Sequence, residues 1–193
     1  MADNQFGSYY LSDRKDLYEI QRENNFEFVV SDIDSLLRAG AMGNEENAYI
    51  TNGQEVLRFS MVGAFLPTFS QEPIVIRRGN SVMKAAGIPT FKDGQITVND
   101  YIGADTKSVL MAWQALSYNV KTEKVGRMSD YKKDCTLIEY TPDYTQIVRT
   151  WKLIGCWVQD IDGGQYTMES GGKKTITATI AYDTAYIDYD GLE

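Results

Sequence analysis

From Lys174 to Tyr182 the chain sets Ile176, Ala178, Ile180 and Tyr182 on one side of a two-residue period, with Thr175, Thr177, Thr179 and Ala181 on the other. Only an extended strand sends alternate residues to opposite faces, so the isoleucines must meet a core and the threonines must face away from it. A strand buried on one face needs neighbours, and the chain offers several. Alternating or β-branched runs recur at Phe26–Ser31, Glu55–Val62 (EVLRFSMV), Glu72–Gly79 (EPIVIRRG), 94–100 (GQITVND), Cys135–Tyr140 and Gln146–Ile154. In EVLRFSMV, Leu57, Phe59 and Met61 are expected to form the buried face. The runs ending at Tyr140 and starting at Gln146 are joined through TPDYT, a Pro-Asp turn signal that predicts a hairpin.

One strong helix is predicted over 104–118, where Val109, Ala112, Trp113 and Leu116 recur at three- and four-residue spacing. Asp105 suits its start, and Asn119 suits a left-handed stop. Seven or so strands with one helix define a mainly β (α+β) fold. Two packed antiparallel sheets form a β-sandwich or partly open barrel with one flanking α-helix.

The organisation follows from where the periods fail. Residues 1–24 are polar and aperiodic and read as an N-terminal arm, in which Tyr9, Tyr10 and Tyr18 suit docking on a neighbour. The domain proper is expected over 25–185, with a C-terminal tail over 186–193. Inside it, 32–53 mixes Gly, Asn and Glu and reads as a long insertion loop with one helical turn. Residues 79–94 hold three glycines, a proline and two lysines between strands and read as an excursion from the sheet.

Composition narrows the function classes. A net charge of −8 with a pI near 4.7 is the wrong sign for gripping phosphate backbones. Histidine is absent, which removes the commonest general base near neutral pH, and no enzyme activity is expected. Cys135 and Cys156 lie in apolar runs without metal-ligand spacing and are expected to be buried free thiols. No run of about 18 apolar residues predicts a membrane span, and the polar start carries no signal-peptide pattern, so synthesis in a cytoplasm is expected.

The paired acids Asp32/Asp34, Glu45/Glu46 and Asp160/Asp162 read as solvated loop charges. DIDGG, from Asp160 to Gly164, lacks the closing glutamate of a calcium loop, and no Lys-Ser/Thr follows the glycines as a phosphate loop requires. No metal or cofactor is expected. Trp113, Trp151 and Trp157 suit core and interface positions, and Arg77, Arg78 and Lys84 suit a strand end that meets an acidic neighbour.

Several landmarks in order carry a resemblance: LPTF, IVIRR leading into NSVMKAAGIPTFKDG, QITVND, VLMAWQAL, DYKKDCTLIEY, and WKLIGCWV before an acidic Gly-containing turn. Over roughly Phe26 to Tyr182 the chain resembles the tail tube proteins of contractile-tailed bacteriophages. The resemblance implies six subunits to a ring whose inner strands join around a lumen, and rings that stack. It places the helix on the outer side and sends the 79–94 excursion to an adjacent ring. Arg77, Arg78, Asn80, Met83, Lys84, Ile88 and Phe91, with Tyr9 and Tyr10, are then the expected contacts between subunits.

The partners implied are copies of the chain, a tail sheath protein, baseplate tube-initiator and tail terminator proteins. A tape measure protein and DNA would occupy the acidic lumen without tight binding. The implied location is the virion tail, assembled in a host bacterial cytoplasm. A tube initiator of the same fold, or a β-barrel module for a small hydrophobic ligand, are the alternatives, and bacterial secretion tubes share the fold. On this reading Ile76→Asp impairs folding, whereas Lys84→Glu leaves the subunit folded and weakens stacking.

Overall fold

A computed structural model describes residues 20–37, 49–103, 105–168 and 171–188. The first strands are β1 (Phe26–Val30), β2 (Ser35–Leu37) and β3 (Tyr49–Thr51), followed by helix α1 (Gly53–Ser60) and β4 (Met61–Gly63). Next come β5 (Phe69–Gln71), β6 (Ile74–Arg78), β7 (Ser81–Ala85), β8 (Pro89–Phe91) and β9 (Gly94–Asn99). Helix α2 (Thr106–Ser117) leads through β10 (Tyr118–Asn119) and β11 (Lys124–Val125) to a short α3 (Met128–Tyr131). The chain closes with β12 (Lys133–Tyr140), β13 (Ile147–Asp162), β14 (Thr175–Ala181) and β15 (Thr184–Asp188). Strand pairing therefore continues past residue 185, where the sequence suggested a tail.

The main sheet runs β1-β12-β13-β14-β9-β4, with β15 also on β13, and its pairings are antiparallel. The 16-residue β13 is the hinge of the architecture. Its first part pairs with β12 and β15, and from Trp157 onward it pairs with β14. Between the two stands Gly155 at φ 72, where a Cβ would strike the Asp183 carboxylate. Glycine has no such side chain, so the strand can turn there and serve both halves of the sheet. The halves share one core that includes Phe28, Val30, Leu137, Leu153, Val158, Ile96, Ile176 and Ile180. The sheet does not close into a barrel, and β1 and β4 remain its two ends.

The alternation in β14 is realised residue by residue: Ile176, Ala178 and Ile180 are buried, and the threonines are not. In α2, Val109, Leu110, Ala112 and Trp113 are buried, and the Trp113 indole N–H donates to the Tyr131 carbonyl at 3.0 Å. Cys135 and Cys156 are free and buried, and burial together with the neighbouring Cys156 pushes the Cys135 thiol well above its ordinary pKa.

Four expectations are corrected. The segment EVLRFSMV is a helix over Gly53–Ser60, and only Met61–Gly63 is extended. Its buried residues Gly53, Leu57 and Ser60 fall at helical spacing, while Phe59, expected to share the Leu57 face, is exposed. Asp34 holds the helix start by accepting the Gln54 N–H at 3.2 Å, and a Ser60–Thr106 hydroxyl bond of 2.9 Å ties the helix to α2. The described parts of the 32–53 insertion, 32–37 and 49–53, are anchored in the body, because β2 pairs with β3 and Ile33, Leu36 and Ile50 enter the core.

Helix α2 does not end on a left-handed Asn119. Tyr118 is extended at φ −149, and Asn119 instead accepts the Lys121 and Thr122 N–H groups in the next turn. Finally, Ile76 is not a core residue, since all of β6 is exposed.

Candidate assembly surface

Residues 66–92 leave the main sheet as one long β-ribbon, with β5 paired to β8 at its base and β6 to β7 at its end. The root is fixed by aromatic packing. Phe91 packs at a tilt between Phe69 and Tyr182, with ring centroids 5.7 Å from each, and Phe65 stacks on Tyr182 at 5.6 Å. Hydrogen bonds between Tyr182 and Thr68 and between Lys92 and the Thr68 carbonyl add to the anchor. Midway, Gly87 lies so close to the Glu72 carbonyl that a Cβ would collide with it. At the end, Gly79 at φ 57 and Asn80 form a two-residue loop, which needs the positive φ that glycine adopts without strain.

Register decides what the ribbon presents. Directly paired residues share a face, so Ile74 and Ile76 lie with Ala85 and Met83, while Val75 and Arg77 lie with Lys84 and Val82. One face is therefore apolar up to Arg78 and Ser81 at the tip, and the other mixes valines with cations. None of β5, β6 or β7 is buried on either face. Ile88 is 85% exposed and Ile76 40%. A contiguous apolar face of this kind on a single chain is uncommon unless something covers it. Charge is segregated as well. Residues 66–92 hold four basic side chains and one acidic, a net +3, which leaves −11 on the remainder of a chain of net −8.

Of the contacts expected from the sequence, Arg77, Met83 and Lys84 lie along the ribbon strands, and Arg78 and Asn80 lie at its tip. Ile88 sits past the Gly87 close approach, and Phe91 belongs to the root, half-buried. Tyr9 and Tyr10 lie outside the described residues. Sequence reading missed Ile74 and Ile76 as surface residues. Prolines held the signal: three of the chain's four, Pro67, Pro73 and Pro89, punctuate this segment, and proline avoids the interior of a sheet.

Two other surfaces frame the ribbon. The ends of the sheet, β1 and β4, face a groove of about 870 Å3 that Leu66 at the ribbon root also lines. Four of its charges are paired, Arg58 with Glu27 and Arg149 with Glu139 at 3.1 Å, and the Trp151 indole N–H donates to Glu139. Burial and the neighbouring Glu27 raise the Tyr140 phenol above its ordinary pKa. The second surface is the outward face of β14 and β9, where Thr175, Thr177 and Thr179 stand opposite Asn99, Thr97 and Gln95. No residue of β9 or β14 carries a charge, and β13 adds Asp160 and Asp162 beside them. Asp162 also accepts the Gly164 N–H, as a turn residue would. Among the described residues no cluster of His, Cys, Asp and Glu could hold a metal, and no helix is long and apolar enough to cross a membrane.

No protein-family model matches the chain, and no curated protein matches its sequence. Solved structures do match. A chain from the extended-state PVC sheath/tube terminator of an extracellular contractile injection system superposes with a TM-score of 0.61 at 14% identity, covering 88% of this chain and 97% of that one. One from the extended PVC sheath-tube complex gives 0.60 at 14% identity, over 92% and 98%. One from the tube-terminating cap of the anti-feeding prophage gives 0.59 at 12% identity, over 88% and 91%. The chain thus has the fold found in contractile tube assemblies, and the resemblance read from its sequence holds at that level.

Proposed function

We propose that this chain is a non-enzymatic structural subunit that assembles with copies of itself into stacked rings, the inner tube of a contractile tail. The observation that carries the reading is the uncovered ribbon. A two-stranded hairpin with no packed face is marginal in water, so nine apolar or cationic residues of β6 and β7 in the open are best explained by a partner that covers them. A copy of the same chain fits, because a cationic arm meets an anionic body.

In the finer form of the proposal the rings are hexameric and the tail is that of a bacteriophage, built in the host cytoplasm. Sheath, baseplate and terminator proteins are its partners. The uncharged threonine face of β9 and β14, flanked by Asp160 and Asp162, suits a lumen past which a tape measure protein and DNA move without adhering, since it offers phosphates no cation. A binding module for a hydrophobic ligand is less well supported, because the groove between β1 and β4 is an open one that sets the ion pairs Arg58–Glu27 and Arg149–Glu139 among its apolar side chains.

Electron microscopy of the purified full chain, with sedimentation alongside, tests the proposal. Hollow filaments are expected. Isolated rings that never stack would redirect it to an end-piece such as an initiator or terminator, and a monomer at high concentration would overturn it. Lys84→Glu should leave the melting temperature unchanged and weaken stacking several-fold, and raised salt should act in the same direction.

A further inference from the structure

Cys135 and Cys156 are the chain's only cysteines, and the fold brings them together. Across the β12–β13 ladder Cys135 stands opposite Leu153 and Cys156 opposite Lys133, so the two lie diagonally, and both enter the shared core. Two steps along β12 match three along β13 between these pairs, which makes the site a bulge. The Cys156 thiol is within hydrogen-bonding reach of the Cys135 thiol, and the two residues are 0% and 1% exposed. Polar contacts hold the bulge from the other side. The Gly155 N–H donates to the Asp134 carboxylate at 3.3 Å, and Lys132 donates to both oxygens of Asp183, whose carboxylate fills the space a Gly155 side chain would need.

We infer that Cys135 and Cys156 are a latent disulfide, a modification site that a peroxide closes to lock β12 onto β13. Peroxide oxidises one thiol to a sulfenic acid and releases water. The second sulfur then displaces the new hydroxyl as water, so two thiols and one hydrogen peroxide give one disulfide and two waters. Burial keeps the Cys135 thiol protonated and both sulfurs shielded, so the reaction waits on opening of the bulge and is slow in the native protein. The bond closes a loop of about 20 residues and fixes the bend where β13 passes from one half of the sheet to the other. Free thiols are the state a reducing cytoplasm maintains, and disulfides persist outside it. A subunit carried out of the cell thus gains a covalent brace after assembly.

Peroxide treatment of the full chain, purified in dithiothreitol and then freed of it, tests this. The treated protein is unfolded in guanidinium, labelled with iodoacetamide and weighed by mass spectrometry. A loss of two hydrogen atoms with no label is expected, and dithiothreitol should restore two labels. The oxidised chain should melt about 5 °C or more higher, and Cys135→Ser and Cys156→Ser should show no such rise. Two labels after peroxide would overturn the inference, as would oxygen added to either sulfur without loss of hydrogen, or disulfide-linked dimers. A disulfide that forms without raising the melting temperature would overturn the lock. The mass readout needs wild type alone, so it decides the question even where a serine variant folds poorly, and none of these outcomes depends on tube formation.

Discussion

Strands β14 and β6 are built from the same kinds of residue and end in opposite environments. TITATIA buries every second side chain, and Ile176, Ala178 and Ile180 are wholly enclosed. IVIRR leaves all five residues exposed, although three of them are β-branched and apolar. Strand propensity is a property of the local backbone and side chain, whereas burial requires a second layer that comes from elsewhere in the chain or from another chain. In β14 that layer is the shared core beneath α1 and α2. In β6 it is missing from the subunit, and the difference locates the surface that assembly must cover.

The sharpest way to break the comparison is to place one carboxylate in each strand. Ile176→Asp buries an unpaired charge in the core and should cost more than about 4 kcal/mol, enough to prevent folding. Ile76→Asp should change stability by no more than about 0.5 kcal/mol while abolishing stacking. Urea denaturation followed by tryptophan fluorescence measures both. Equal destabilisation would mean that the ribbon folds back onto the body and that its exposure is not a property of the free subunit.

A second contrast concerns period. Helix α1 contains EVLRFS, the first six residues of the strand-like string EVLRFSMV, and both readings bury Leu57; they part at Phe59, which a strand would put beside Leu57 and the helix turns to solvent. Leu57→Ala should cost about 2–5 kcal/mol and Phe59→Ala no more than about 0.5 kcal/mol. Comparable losses at the two positions would restore the strand.

These cases show what was legible in the residues. β14 and α2 were readable because seven to twelve residues keep one period against one core. Eight residues of α1 fit two periods at once, and tertiary contact with β1 and β9 settled which prevailed. The β2–β3 hairpin was hidden because glycines and asparagines surround Leu36 and Ile50, and only the pairing shows that they reach the core. For the candidate site, the cations and Met83 were found from an exposed, turn-rich stretch. Ile74 and Ile76 were not, since a β-branched run looks the same whether its partner is in the same chain or in the next.

The smallest effect comes from comparing the two hairpin turns. The ribbon turns chiefly on its backbone, through Gly79, with one side-chain bond from the Ser81 hydroxyl to the Arg78 carbonyl. The β12–β13 turn is held by side chains: Asp143 accepts from the Thr141 and Thr145 hydroxyls and the Thr145 N–H, and the Tyr144 hydroxyl donates to the Asn24 carbonyl. These donors, Thr141 first, lower the Asp143 carboxyl from 3.8 to about 2. A depressed carboxyl contributes stability that is full above its unfolded pKa and disappears as pH falls through the folded value. Asp143→Asn should therefore be slightly less stable than wild type at neutral pH, and the gap should close between pH values near 4 and 2. The group is fully exposed, so solvent screening keeps the effect small. Urea midpoints of the two proteins across that range measure it. A gap that persists unchanged at the acid end would show that the carboxylate's charge does not hold this turn, and that both hairpins rely on backbone geometry.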